Sequence, residues 1–222
     1  MAVPLLKICG LTLPSQAAAV AALGSDALGV IGVARSPRYL PASGRPELWQ
    51  AVAAANPQCR RVLVLVNPSD ADLGDLDPAH GHQVLQLHGE ESPRRCAELA
   101  QQWQIPVWKA LRIRDPADLA QAKAYAAQVE ALLLDAWVAD QHGGSGHRLP
   151  LAWLERFEPG CPWWLAGGIG PKTVGATLAA LAELELQPSG IDASSGVEIS
   201  PGIKDLQLVA TLLQLVKAQS SH

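Results

Sequence analysis

The chain has 222 residues, 49% of them hydrophobic, with a formal net charge of −4. That length suits one large domain or two small ones, and the apolar share fills a core, so disorder is excluded. The acidic balance, with a pI near 5.8, argues against a nucleic-acid partner, which normally needs a basic face.

Short β-type apolar runs recur along the whole chain, at Leu5–Cys9, 27–33, 61–66, Val84–Leu87, 107–111, 131–134, 163–166 and Gly190–Ala193. Ala/Leu-rich segments at 14–23, 45–55, 92–103, 116–128, 171–185 and 203–218 read as the helices between and after them. Two connections are weaker: 68–82 is short and polar, and after the sixth strand only 151–157 reads as helical. Buried parallel strands are continuous apolar runs separated by crossover helices. Eight such units in this length predict an α/β fold, a single (β/α)8 TIM barrel over residues 1–222.

An open doubly wound sheet reads the same way at this level. The polar residues favour closure, because nearly every strand ends in chemically distinctive groups. They are Cys9-Gly10, Arg35 to Arg38, Asn67-Pro68, His88-Gly89, Arg112, Asp135, Gly167-Gly168 and Asp192. In a closed barrel these ends meet at one mouth, and the first strand lies beside the eighth.

No cationic leader and no apolar stretch long enough for a membrane span is expected, which points to a cytoplasmic protein. Cys9, Cys59, Cys96 and Cys161 lie far apart without a CxxC pair, the pattern of free thiols in a reducing compartment. His80 and His82 form an HxH pair lacking an obvious third ligand, so no metal is expected.

The segment GIDASSGVEISPG, from Gly190, runs a strand into Ser194-Ser195-Gly196. If a helical turn starts there, its free N–H groups and dipole make an anion site without a cationic side chain. Gly167-Gly168 after the seventh strand supplies a second bank of donors, and a phosphate site after strands seven and eight recurs in this barrel class. Gly143 to Gly146 form a glycine-rich loop able to close over a ligand.

Strand alternation puts Lys7 and Cys9 on one face. An ammonium beside the thiol would favour the thiolate and make Cys9 a base or nucleophile; the plainer reading is a small buried Cys. Asp135 follows three leucines, where burial would suit it to general-acid work, or it is a structural cap. Arg38, behind Pro37, could grip a carboxylate through both arms of its fork. Gln86 and His88 share one strand face. Lys109 offers another chemistry, a Schiff-base nucleophile of an aldolase-type barrel.

Six stretches together resemble the phosphoribosylanthranilate isomerase family: KICGLT at 7–12, SPRYL at 36–40, LQLHG at 85–89, LLLDA at 132–136 with GGSG at 143–146, LAGGIGPKTV at 165–174, and GIDASSGVEISPGIKD at 190–205. The resemblance implies a cofactor-free and metal-free barrel of tryptophan biosynthesis. Such an enzyme carries out the Amadori rearrangement of N-(5-phosphoribosyl)anthranilate, a small-molecule substrate, as a monomer or homodimer. It implies Cys9 as general base and Asp135 as general acid. Arg38 would hold the anthranilate carboxylate, and His88 and Asp192 would contact the substrate. Gly144, Gly167, Gly168, Ser194, Ser195 and Gly196 would surround the phosphate. The sequence departs from the family pattern at 31–35, where a more aromatic run is usual, at Ala193 in place of Val, and at His147 in place of Lys or Gln.

Overall fold

The computed structural model describes residues 3–69, 76–136 and 148–218. Eight parallel strands close into a barrel in sequence order: β1 (Leu5–Cys9), β2 (Ala27–Ile31), β3 (Arg60–Leu65), β4 (Val84–Leu87), β5 (Val107–Ile113), β6 (Ala131–Ala136), β7 (Trp163–Leu165) and β8 (Gly190–Ala193). Closure runs through the β1–β8 pair, with Leu5 opposite Gly190 and Lys7 opposite Asp192. The open-sheet alternative is thereby excluded.

Alternation along each strand sorts side chains into two cores. Outward residues such as Leu6, Ile8, Leu28, Leu63, Leu85, Leu132 and Ile191 pack under the helices. Inward residues, including Ala27, Val62, Val84, Trp108, Ala110, Leu133, Trp164 and Ala166, fill the lumen. Trp108 and Trp164 stack at 4.8 Å between ring centroids and close its lower end. A Cβ at Gly190 would overlap the Trp164 ring, so the β8 glycine makes room for that plug. With the lower lumen filled, only its upper end is left for a ligand.

The crossover helices are α1 (Pro14–Ala22), α2 (Arg45–Ala55), α3 (Pro93–Trp103), α4 (Ala122–Ala126), α5 (Val174–Glu183) and α6 (Leu206–Ala218). Proline opens α1, α2 and α3 in the first turn, where its missing N–H costs nothing. The Ser92 side chain accepts from the Arg95 amide at 3.2 Å to cap α3. Segment 116–128 is not one helix, because a 3-10 turn at Pro116–Gln121 precedes α4. Among the described residues between β6 and β7, the one helical piece is a 3-10 turn, Leu151–Leu154. In the weak 68–82 segment, Pro78–His80 forms another.

The helix expected over 203–218 is shortened at its start. A hairpin of β9 (Glu198–Ser200) and β10 (Ile203–Lys204) occupies that region. Pro201-Gly202 turns the chain, with Gly202 at φ +84, a value that suits glycine. The hairpin is tied to the start of α1: the Thr12 hydroxyl donates to the Gly202 carbonyl at 3.0 Å, and Gln16 exchanges two bonds with the Lys204 backbone. Asp205 then accepts from the Gln207 and Leu208 amides at the start of α6.

Candidate active site

A cavity of about 390 Å³ opens at the C-terminal ends of the strands. Cys9, Arg38, His88, Asp135, Gly167, Gly168, Asp192, Ser194 and Ser195 all line it, so most of the residues singled out in the sequence converge there. Ile31, Val33, Pro37, Val64 and Val66 make its apolar wall, which includes the segment that departs from the family pattern. Gly196 does not line the cavity. Gly144 and the rest of the 143–146 loop lie outside the described residues.

The two glycine-rich loops form one unit. Gly167 and Gly168 have φ of +91 and +65, a backbone open to glycine and strained for most residues. Thr173 folds this loop, donating to the Gly168 carbonyl at 2.7 Å and accepting from the Gly170 amide at 3.0 Å. A Cβ on Gly196 would overlap the Ile169 carbonyl oxygen, and one on Gly170 would sit 2.7 Å from that of Gly196. Backbone meets backbone here. The amides of Gly168, Ser195 and Gly196 have no protein acceptor among the described residues. The expected helical turn is a 3-10 turn at Ser195–Val197, and Ser194 ties it to β1 through a 3.0 Å bond to the Cys9 carbonyl.

Cys9 is buried, and burial pushes its thiol above the ordinary value; the Lys7 ammonium pulls the other way without winning. The sequence left the protonation of Cys9 open; here burial favours the thiol over the thiolate. Burial alone would lower Lys7, but Asp192 and Cys9 outweigh it and hold the ammonium protonated. Lys7 donates to Asp192 Oδ2 at 2.9 Å. Burial raises Asp192 above the usual carboxylate range, against the pull of Lys7. Across the mouth, His88 Nε2 lies 3.4 Å from Asp135 Oδ2, and both side chains are buried.

Arg38 is engaged from behind. Its Nε and Nη2 donate to Glu198 at 2.9 and 2.7 Å. Glu198 also accepts from Lys204 at 2.6 Å and from the Gly202 amide at 3.1 Å. Burial would raise the Glu198 carboxyl, but Arg38 and Lys204 together hold it below the ordinary value. The Nε edge of the fork is thus already taken by Glu198. Glu198 and Lys204 were not singled out in the sequence, because Glu198 is 160 residues from its partner Arg38 and Lys204 joins the site through Glu198. Gly10 brings Arg38 close: at φ +82, a Cβ there would lie 2.5 Å from Arg38 Cδ.

Three polar atoms in the cavity wall have no hydrogen-bond partner among the described residues: Asp192 Oδ1, Gln86 Oε1 and His88 Nε2. Buried polar groups are normally satisfied, so this cluster marks where a polar ligand belongs. No three His, Cys, Asp or Glu side chains among the described residues converge on a metal position. His82 instead contacts the Leu76 carbonyl through Nε2 at 3.1 Å. Lys109 points away from the lumen and lies outside the cavity, which removes the Schiff-base alternative. Burial pushes Cys59 up to about 12 and Cys96 to about 11, as expected of inert core thiols.

Comparison with known proteins agrees with this geometry. Residues 6–215 match the family model of N-(5'-phosphoribosyl)anthranilate (PRA) isomerase. The N-(5'-phosphoribosyl)anthranilate isomerase of Thermosynechococcus vestitus is 43% identical over 98% of this chain and 91% of its own length. The crystal structure of phosphoribosyl anthranilate isomerase from Thermus thermophilus superposes with a TM-score of 0.78 at 32% identity, covering 97% of this chain and 99% of that one. A phosphoribosyl anthranilate isomerase in complex with reduced 1-(o-carboxyphenylamino)-1-deoxyribulose 5-phosphate superposes at 0.75 with 29% identity and the same coverage. The chain belongs to the N-(5'-phosphoribosyl)anthranilate isomerase family.

Proposed function

We propose that the chain isomerises N-(5-phosphoribosyl)anthranilate to 1-(2-carboxyphenylamino)-1-deoxyribulose 5-phosphate, in the cytoplasm and as a step of tryptophan biosynthesis. One observation carries this reading: Cys9, Asp135 and a backbone anion cradle face a single cavity that also offers an apolar wall and an arginine. The phosphate sits against Gly167, Gly168, Ser194 and Ser195, with the neighbouring Gly196 pressed behind the loop. The anthranilate ring lies on Ile31, Val33 and Val64, with its carboxylate at Arg38. Asp192, His88 and Gln86 have open polar atoms for the amine and hydroxyl groups between them.

The chemistry needs one acid and one base on either side of the sugar, held in register by the phosphate. Asp135 gives its proton to the ring oxygen as the C1′–O bond breaks, and the nitrogen lone pair forms the iminium. Cys9, as thiolate, takes the proton from C2′. The C–H electron pair becomes the C1′–C2′ double bond and neutralises the iminium, giving an enolamine. A proton then moves from the 2′-hydroxyl to C1′ to give the ketone. Cys9 and Asp135 end in opposite protonation states from those in which they began and reset by exchange with solvent.

The test is conversion of phosphoribosylanthranilate by the purified protein in the presence of a chelator, followed as loss of anthranilate-type fluorescence. Cys9→Ala and Asp135→Asn are expected to abolish most turnover while the product still binds. Unchanged turnover in both variants would refute the assignment.

A further inference from the structure

Lys7 stands in the middle of the lumen with no exposed surface, and the proposed mechanism gives it no role. It donates to one oxygen, Asp192 Oδ2, so its ammonium has protons to spare. Gly29 on β2 shows how close it comes to the base. A Cβ on Gly29 would lie 2.6 Å from Cys9 Sγ and 3.2 Å from Lys7 Cε, so both side chains lean over the same glycine. The other acceptor of the pair, Asp192 Oδ1, is buried and open toward the cavity.

We propose that Lys7 is a positioning residue acting through Cys9: its ammonium is the counter-charge that lets a thiolate stand on the dry floor of the site. This rests on Cys9 being the base. Before substrate binds, Asp192 shares the ammonium, and burial favours the protonated sulfur. A substrate N–H or O–H that bonds Asp192 Oδ1 spreads the carboxylate's charge and frees the ammonium to face sulfur. The thiol proton leaves to solvent, and the thiolate then accepts the C2′ proton. Other charges facing this sulfur are Asp192 on β8, Lys204 on β10 and Arg38 from the loop after β2, with His88 and Asp135 across the cavity. Lys204 is spent on Glu198, and Arg38 is spent there too. Of the three cations Lys7 acts most strongly on the thiol, ahead of Lys204.

The experiment titrates Cys9 by the ultraviolet absorbance of its thiolate, with Cys9→Ala as the blank, and needs no substrate. Asp192→Asn, which keeps the buried ammonium but not its carboxylate, is compared with Lys7→Met/Asp192→Asn, which removes both charges. An opposite charge at this range is worth about one to three pH units, so the double variant is expected to titrate at least about one unit higher. Lys7→Arg keeps the charge and is expected to titrate with the wild type. In the isomerase assay the ascending limb of kcat/KM in Lys7→Met moves to higher pH, whereas a purely structural loss lowers kcat/KM equally at every pH. Equal thiol midpoints with and without Lys7 overturn the proposal. A shifted midpoint in a protein that performs no isomerisation instead overturns Cys9 as base and leaves the charge effect standing.

Discussion

Two buried lysine–carboxylate pairs sit on opposite sides of the barrel wall, with the same 2.9 Å separation. Lys7–Asp192 lies inside, and Lys109–Glu91 lies outside. The outer pair is saturated. Lys109 donates to Glu91, to the Gly89 and Ala110 carbonyls at 2.6 and 3.0 Å, and more weakly to that of Leu87. Glu91 in turn accepts from the Asn67 amide at 2.6 Å and the Gly89 amide at 2.9 Å. It staples the ends of β3 and β4. The inner pair is unsaturated, with one carboxylate oxygen open to the cavity and ammonium protons to spare. A buried ion pair by itself says little about function. What separates the two is whether any bonding capacity is left over, and toward what it points.

The largest effect separating the two regions is on turnover. Cys9→Ala and Asp135→Asn are each expected to lower kcat by roughly 10²–10⁴, the range for a lost general acid or base, with little change in unfolding midpoint. On the outer side the loss is of stability. Lys109→Met strands Glu91 and is expected to cost about 3–5 kcal/mol in urea unfolding, with kcat per folded molecule unchanged.

His82, buried beside neither pair, is a control for pH effects. Burial lowers it from 6.5 to about 4, more than its bond to the Leu76 carbonyl offsets. Between those values the unfolded chain binds the extra proton, so the stability contribution is full above about pH 6.5 and falls as pH drops toward 4. The loss is up to about 3 kcal/mol at 1.36 kcal/mol per unit, and His82→Gln is expected to flatten that slope. The smallest expected effect is at Arg38. Glu198→Gln weakens its fixed edge and is expected to raise KM about tenfold, the worth of one charge-assisted hydrogen bond, with kcat nearly kept.

Periodicity identified the eight strands and the helices between them, and the polar residues at the strand ends favoured a closed barrel over an open sheet. Strand parity placed Lys7 with Cys9, and its position after three leucines at a strand end marked Asp135. Applied to β5, the same parity puts Trp108 and Ala110 inside and Lys109 outside, so the Schiff-base alternative could have been dismissed from sequence. The hairpin over 198–204 was hidden because its apolar residues continue smoothly into α6, and only Pro201-Gly202 signals the break. The Glu198 clamp on Arg38 and the Thr173 brace were hidden for another reason. They are side-chain pairings set by three-dimensional proximity, and nothing in one sequence links Arg38 to a glutamate beyond the eighth strand. The thiol state of Cys9 depends on burial outweighing a neighbouring charge, a balance that residue types alone do not decide.

The contrast between the pairs is tested most directly by measuring kcat/KM of Lys7→Met and Lys109→Met side by side, each normalised to its folded fraction. Both variants lose a buried ion pair. The account predicts a loss of at least about tenfold near neutral pH for Lys7→Met, following the displaced thiol, and wild-type activity for Lys109→Met. Equal activity in the two variants, or a loss confined to Lys109→Met, would contradict it.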